Sequence, residues 1–243
     1  MIWGYYLARF KTVLFLITSF IDRLKEKPSG TLFNPWYETD PENDKHPDAP
    51  SIRRKQLAHY LQERVGKAKY LMIAEALGYQ GGHFTGIAMT SERILLGHQR
   101  NKYSVHPNHV FQTISPARTS KVSVAEKGMT EPTATIMWGA LTDLGIDPYE
   151  VVLWNAVPWH PYNPNKGLLS NRTPLPSEME AGLRHLKEFI TIFENAQLIA
   201  VGRKCEQSLS QLGEKHAAVR HPANGGAPKF RRQLLALAKG IGN

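Results

Sequence analysis

Three polar residues stand at the ends of short runs that read as strands. Tyr70-Leu71-Met72-Ile73-Ala74 leads into Glu75, Val151-Val152-Leu153-Trp154 into Asn155, and Ala217-Ala218-Val219-Arg220 into His221. Short apolar runs bounded by breakers favour buried strands over helices. Polar residues at the carboxyl ends of parallel strands are where open α/β sheets bind ligands. Each residue also has a plain structural explanation. Glu75 fits an ordinary strand-to-helix loop, Asn155 a turn, and His221 a satisfied loop histidine before Pro222. Their coincidence at three equivalent strand ends favours a site. The residue types suit release of a nucleobase from its sugar. A carboxylate can position or deprotonate water and stabilise a cationic sugar. An amide donates and accepts at once, so it can read the edge of uracil and reject cytosine. An imidazole can hydrogen-bond the base oxygen on which charge accumulates.

Glycines follow Glu75 closely, at Gly78, Gly81, Gly82 and Gly86. They permit positive φ and close approach of a ligand to the main chain. Glycine loops at helix N-termini can also hold phosphates.

The elements that must position these residues follow from periodicity. A helix is expected from Ser51 to about Val65, and a strand near 69–75. Thr90 or Ser91 caps a short helix through Leu96. Pro132–Leu144 reads as a helix, Glu150–Trp154 as a strand, and Pro176 to about Asn195 as a helix with Leu183, Leu186, Phe189, Ile190 and Phe193 at helical spacing. Leu198–Val201 is a third strand, followed by a short helix to Leu212 and a fourth strand over Ala217–Arg220. A basic helix closes the chain from Lys229 to about Lys239. Strands alternating with helices predict an α/β fold, a three-layer sandwich with a central four-stranded parallel sheet. Residues 98–131 are polar and too long for an ordinary connection, hence either functional or mobile. His98, His106 and His109 lie there at spacings that match no trusted metal-ligand pattern, and no metal or cofactor is expected. Residues 1–50 read as an amphipathic helix and an irregular connector, and 51–243 as the main domain. The uncharged stretch between Lys11 and Asp22 is ten residues, too short to cross a bilayer. The helix is expected to dock on the domain or on a second subunit, with self-association as one outcome and membrane-surface binding as the lesser alternative.

The 243 residues are 42% apolar and carry a formal charge of +9, which suits a polyanionic partner. Residues 201–243 hold eight Lys or Arg against two acids, so much of the basic character is C-terminal. The single cysteine, Cys205, rules out an intrachain disulfide and any four-thiolate metal site. A reducing, cytoplasmic compartment is the natural expectation.

The ordered motifs resemble those of the uracil-DNA glycosylase superfamily, most closely the branch whose first motif reads Gly-Glu-Ala-Pro-Gly. Ala74-Glu75-Ala76-Leu77-Gly78 matches that motif, and Asn155 in VLWNAVPWHPYNP matches an Asn after an apolar strand. Asn171-Arg172-Thr173-Pro174 matches Asn-Arg-x-Pro. Leu198–Gly202 matches a strand of the form Ile-Ala-Leu-Gly, and His221-Pro222-Ala223 matches His-Pro-Ser. The resemblance covers about residues 55–240. It implies a DNA glycosylase-like hydrolase that flips uracil or a related deaminated base out of DNA. Glu75 would act on water, His221 on the leaving base and Asn155 on the base edge. Met89 takes the place of a ring that stacks on the base, and Gly78 the place of a Tyr that excludes the thymine methyl. Trp159 and Tyr162, with His160 and Asn163 as weaker candidates, fit the rim. Asn224, Lys229, Arg231 and Arg232 fit the DNA contacts.

The chain also departs from the pattern. Leu77 stands for Pro, Ala74 for Gly and Ala223 for Ser. The loop Asn224-Gly225-Gly226-Ala227-Pro228 carries no bulky wedge, which favours single-stranded or mismatched DNA as the substrate. The alternative is a non-catalytic member that binds nucleic acid or a nucleobase through the same cleft.

Overall fold

The computed structural model describes residues 2–99 and 104–240, with side chains from Thr12 onward. Helix α1 spans Ile2–Arg23, strand β1 Leu32–Phe33, α2 Ala49–Gln62 and β2 Tyr70–Ala76. Two single turns follow, α3 over Gly82–Thr85 and α4 over Glu92–Leu95. Among the described residues, and besides 3-10 turns at Pro107–His109 and Pro148–Glu150, the other helices and strands are α5 Pro132–Asp143, β3 Val151–Val157, β4 His160–Pro161, α6 Pro176–Ile192, β5 Gln197–Val201, α7 Arg203–Gln211, β6 His216–Val219 and α8 Ala227–Ala238.

The sheet is four-stranded and parallel, in the order β3-β2-β5-β6. Helices cover both of its faces, as expected for strands that are apolar on both sides. The chain leaves β2 toward β3, then crosses back to β5 and continues outward to β6. The direction of winding therefore reverses between β2 and β5. A crevice forms at such a point because the loops leaving the two strands part in opposite directions.

The core is organised on Trp154 of β3. Its ring stacks on Phe189 of α6 at 4.3 Å and on Trp36 at 5.7 Å, and it meets Phe20 of α1 edge-on at 5.3 Å. Ile17, Phe20, Ile21 and Leu24 are buried in the same hydrophobic cluster as the sheet. Helix α1 thus docks on α2 and α6 of its own chain. The connector contributes buried Trp36 to that cluster, while Phe33 in β1 is also buried.

The described part of the long polar stretch, from Ser104 to Glu131, is ordered by buried charges. Arg64 is fully buried and donates to the carbonyls of Val110 and His109 as well as to that of Val151. The Glu92 carboxylate accepts from the backbone N–H groups of Thr119, Ser120 and Met129 and from the Ser120 hydroxyl. A segment with little regular structure is held here by side chains that satisfy its main chain. Residues 100–103 lie outside the described residues.

Candidate active site

A cleft of about 690 Å³ opens at the reversal point between β2 and β5. Glu75 from β2 and His221 from the loop after β6 both line it, with Asn224, Lys229, Arg203, Lys204 and Arg220. The expected carboxylate and imidazole therefore meet in one crevice. Asn155 is not among its lining residues. The reason is strand parity. Asn155 pairs with Ala74, so its side chain leaves the sheet on the side of Ala74 and Ala76, opposite to Glu75. Its Nδ2 donates to the Ala76 carbonyl at 3.0 Å, and its Oδ1 is buried with no partner. Glu75 and Asn155 thus flank the last residue of β2 from opposite faces.

Glu75 is half-buried. Burial raises its pKa, and the nearby Lys204 ammonium partly opposes the rise. A carboxylate so placed is a better proton acceptor than a solvated one. The tautomer of His221 follows from its contacts. Its Nδ1 accepts the Ala223 N–H at 3.1 Å, so in the neutral ring the proton sits on Nε2. Burial, and then the Arg220 charge, lowers its pKa and keeps the ring neutral. The result is a neutral N–H donor in the cleft. Gly226 allows this turn. A Cβ there would lie 2.0 Å from the His221 carbonyl oxygen. Asn224 adopts a left-handed φ of 52° in the same turn.

The lining includes cations that sequence reasoning counted only as net charge. Arg203 and Lys204 open α7 directly after Gly202, and Arg220 precedes His221. A glycine after a strand followed by two cations is the signal that could have found them. Arg231 lies elsewhere. It donates to Asp143 of α5 at 2.5 Å and does not line the cleft, and neither does Arg232.

Other expected site residues are engaged within the fold. Met89 is buried in the main hydrophobic cluster with a φ of 48°, and its carbonyl accepts from Trp138 Nε1. Trp159 is fully buried and donates to the Leu24 carbonyl, which removes it from any rim. His160 is fully buried too. Tyr162 is half-buried, and Asn163 accepts the Asn165 N–H within its own loop. Arg172 of the Asn-Arg-x-Pro element forms a two-pronged pair with Glu178 and bonds Thr31, so it ties β1, the loop and α6 together. Gly78 faces the Glu131 carboxyl, a group that sequence reasoning passed over.

The loop that follows Glu75 is propped from behind. His83 of α3 is fully buried, contacts Asp40 through Nε2 at 3.1 Å and meets His160 through Nδ1 at 3.1 Å. Phe33 stacks on His83 at 4.2 Å. Gly86, at φ +73°, lets the same loop pass over α2, where a Cβ would lie 2.7 Å from the Arg53 carbonyl oxygen.

The family described as the Uracil DNA glycosylase superfamily matches residues 65–238, a span that takes in the whole sheet and all of the cleft. Among solved structures, the chain is similar to wild-type SMUG2 of Pedobacter heparinus, with a TM-score of 0.56 at 11% identity over 93% of this chain and 97% of that one. At that identity the likeness is one of fold. No curated protein sequence matches the chain. No helix among the described residues is long and apolar enough to cross a membrane.

Proposed function

Because the chain belongs to the uracil DNA glycosylase superfamily, we propose that it is a DNA glycosylase-type hydrolase for uracil or a related deaminated base. One observation carries this above all. Glu75 and His221, separated by most of the domain in sequence, line one cleft at the reversal point of the sheet. The nucleotide is flipped so that its base lies over the end of β2. Glu75 positions the attacking water and faces the sugar as it becomes cationic. His221 donates from Nε2 to the base oxygen that gains charge as the bond breaks. Asn155, anchored through Nδ2, offers its unpartnered Oδ1 to a ring N–H of the base. Arg203, Arg220, Lys229 and Asn224 contact flanking phosphates. Met89 and Gly78 shape the wall behind the base from within the packed loop.

The turn after His221 carries only Pro222, Ala223, Asn224 and glycines before α8. It has no side chain to fill the gap left by a flipped base. Unstacking costs a few kcal/mol and is least for unpaired bases, so single-stranded or mismatched DNA is the preferred substrate.

The test is base release from oligonucleotides holding one uracil, either single-stranded or paired with G or A. Wild type should release uracil, most rapidly from the single strand, and Glu75→Gln should lose about two or more orders of magnitude in rate. Equal inactivity of both proteins on every substrate overturns the hydrolase assignment. Retained, salt-sensitive binding would then leave a non-catalytic nucleic-acid-binding member of the fold.

A further inference from the structure

Glu131 stands where a residue should cap α5, and it does not cap. It precedes Pro132 at the N-cap position, and its side chain makes no capping bond. The carboxyl turns instead onto the glycine loop after Glu75. A Cβ added at Gly78 would lie 2.7 Å from Glu131 Oε1, and one at Gly81 would lie 1.6 Å from Oε2. The carboxyl fills the room that two absent side chains leave. Its Oε2 is buried with no hydrogen-bond partner. A buried carboxyl oxygen without a partner is unfavourable, so its presence calls for a role.

A second orphan lies on the same stretch. Asn155 Oδ1 is also buried without a partner, while its Nδ2 holds the Ala76 carbonyl, two residues before Gly78. Asn155 shares the sheet face of Ala76. Neither Glu131 nor Asn155 lines the cleft described above, and each would be satisfied by a hydrogen-bonding edge brought to the end of β2.

We propose that Glu131 is a specificity-determining residue for the base, presenting its carboxyl to the edge that Asn155 does not read. The proposal takes the identity of the ligand from the glycosylase assignment, and the contact from the loop geometry. Burial raises the Glu131 pKa to about 7, and no charged or titratable side chain from the loop, from α5 or from any other described element contributes to that rise. Ionised, the carboxyl accepts from a ring or exocyclic N–H. Protonated, it donates to a carbonyl or ring nitrogen. Preference among bases therefore changes as Glu131 titrates, and a methyl group at that edge is disfavoured because it leaves the carboxyl unpaired.

The experiment uses the full chain as wild type, Glu131→Gln and Glu131→Asp. Binding and base release are measured from pH 5.5 to 8.5 on single-stranded oligonucleotides carrying uracil, hypoxanthine, thymine or an abasic analogue. The wild-type ratio of uracil to hypoxanthine affinity should change about tenfold across neutrality. The ratio should be independent of pH in Glu131→Gln and dependent on it again in Glu131→Asp. A merely structural carboxyl would alter stability without moving that ratio. A wild-type ratio that stays flat, or that moves equally in Glu131→Gln, overturns the proposal. If wild type binds base-bearing strands over abasic ones without releasing base, and the ratio behaves as stated, the hydrolase assignment fails and Glu131 remains the reader. Equal binding of base-bearing and abasic strands overturns both.

Discussion

His83 and His160 face each other Nδ1 to Nδ1 at 3.1 Å, and both rings are fully buried. The contact is the middle of a chain of three. His83 Nε2 lies 3.1 Å from Asp40 Oδ2, and His160 Nε2 lies 2.7 Å from the Ser170 carbonyl oxygen. A carbonyl only accepts, so His160 must carry its proton on Nε2. Burial holds the His160 pKa down at about 3, so the ring is neutral and its Nδ1 accepts from His83. Asp40 is kept ionised. Burial pushes its carboxyl up, but hydrogen bonds from His83 and Asn43 outweigh that and leave its pKa lowered. Three contacts in a row need three protons, and two neutral imidazoles hold two. The third proton therefore lies in the His83–Asp40 contact, where Asp40 opposes the burial that lowers the His83 pKa.

The prediction is three downfield imidazole N–H resonances in ¹⁵N-histidine spectra at pH 7, assignable to these contacts. Asp40→Asn should show two, because an amide N–H can itself donate to His83 Nε2 and complete the chain with one proton fewer. Wild type showing only two would mean that one of the contacts is not a hydrogen bond. The chain links the connector through Asp40, the glycine loop through His83 and the β4 loop through His160. Its loss should therefore blur the loop that follows Glu75.

The cleft cations predict where salt sensitivity lies. Lys229 and Arg203 line the cleft, whereas Arg231 is paired with Asp143 on α5. Lys229→Ala and Arg203→Ala should each weaken DNA binding across all sequences and reduce the slope of log K against log salt by about 1. Arg231→Ala should leave the slope unchanged. Titrations at several salt concentrations decide it, and a steeper loss for Arg231 than for Lys229 would move the DNA track to the α5 side.

Glu92 predicts the stability of the long segment. Its buried carboxylate accepts three backbone N–H groups and one hydroxyl from residues 119–129. Glu92→Ala should strand those donors and destabilise the protein by about 3 kcal/mol or more. Protease cleavage within 104–131 should appear before global unfolding. Cleavage elsewhere first would show that Arg64, with the Glu63 carboxylate that accepts the Gln112 and Thr113 N–H groups, holds the segment without it.

The four strands of the parallel sheet were legible as short runs bounded by breakers, and the apolar stripe of α6 set its buried face, whereas β1 and β4, which pair over two residues each, were not. Sequence alone also placed Glu75 and His221 at strand ends, and parallel pairing did the rest. Strand parity was not legible, since nothing in VLWN says which face Asn155 takes until its register against Ala74 is known. Asp40 was hidden in a stretch that reads as turn and connector. Its partner His83 lies 43 residues on, and no local pattern predicts that pairing. Met89 and Trp159 look like exposed stacking residues in a loop, yet both loops fold inward and bury them. The polar stretch 98–131 reads as functional or mobile because it is too long for an ordinary connection. The groups that order its described part, Arg64 and Glu92, sit on other elements.

Glu131 was passed over because an acid before Pro132 looks like an ordinary helix start. Its burial leads to a pH dependence whose sign is fixed. The folded pKa is about 7 against an ordinary 4.5. Between those values the folded chain keeps a proton that the unfolded chain has released. Stability therefore falls as pH rises through that window, at up to about 1.4 kcal/mol per unit. Below it both states are protonated and the group has no pH effect, and above it both are ionised and the full penalty is in place. Glu131→Gln carries no such proton. The difference in unfolding free energy between variant and wild type, from urea titrations at pH 4 to 8, should grow in favour of glutamine through the window and be flat on either side. Taking the difference cancels the other titrating groups, so a flat line throughout would mean that the carboxyl reaches solvent in solution.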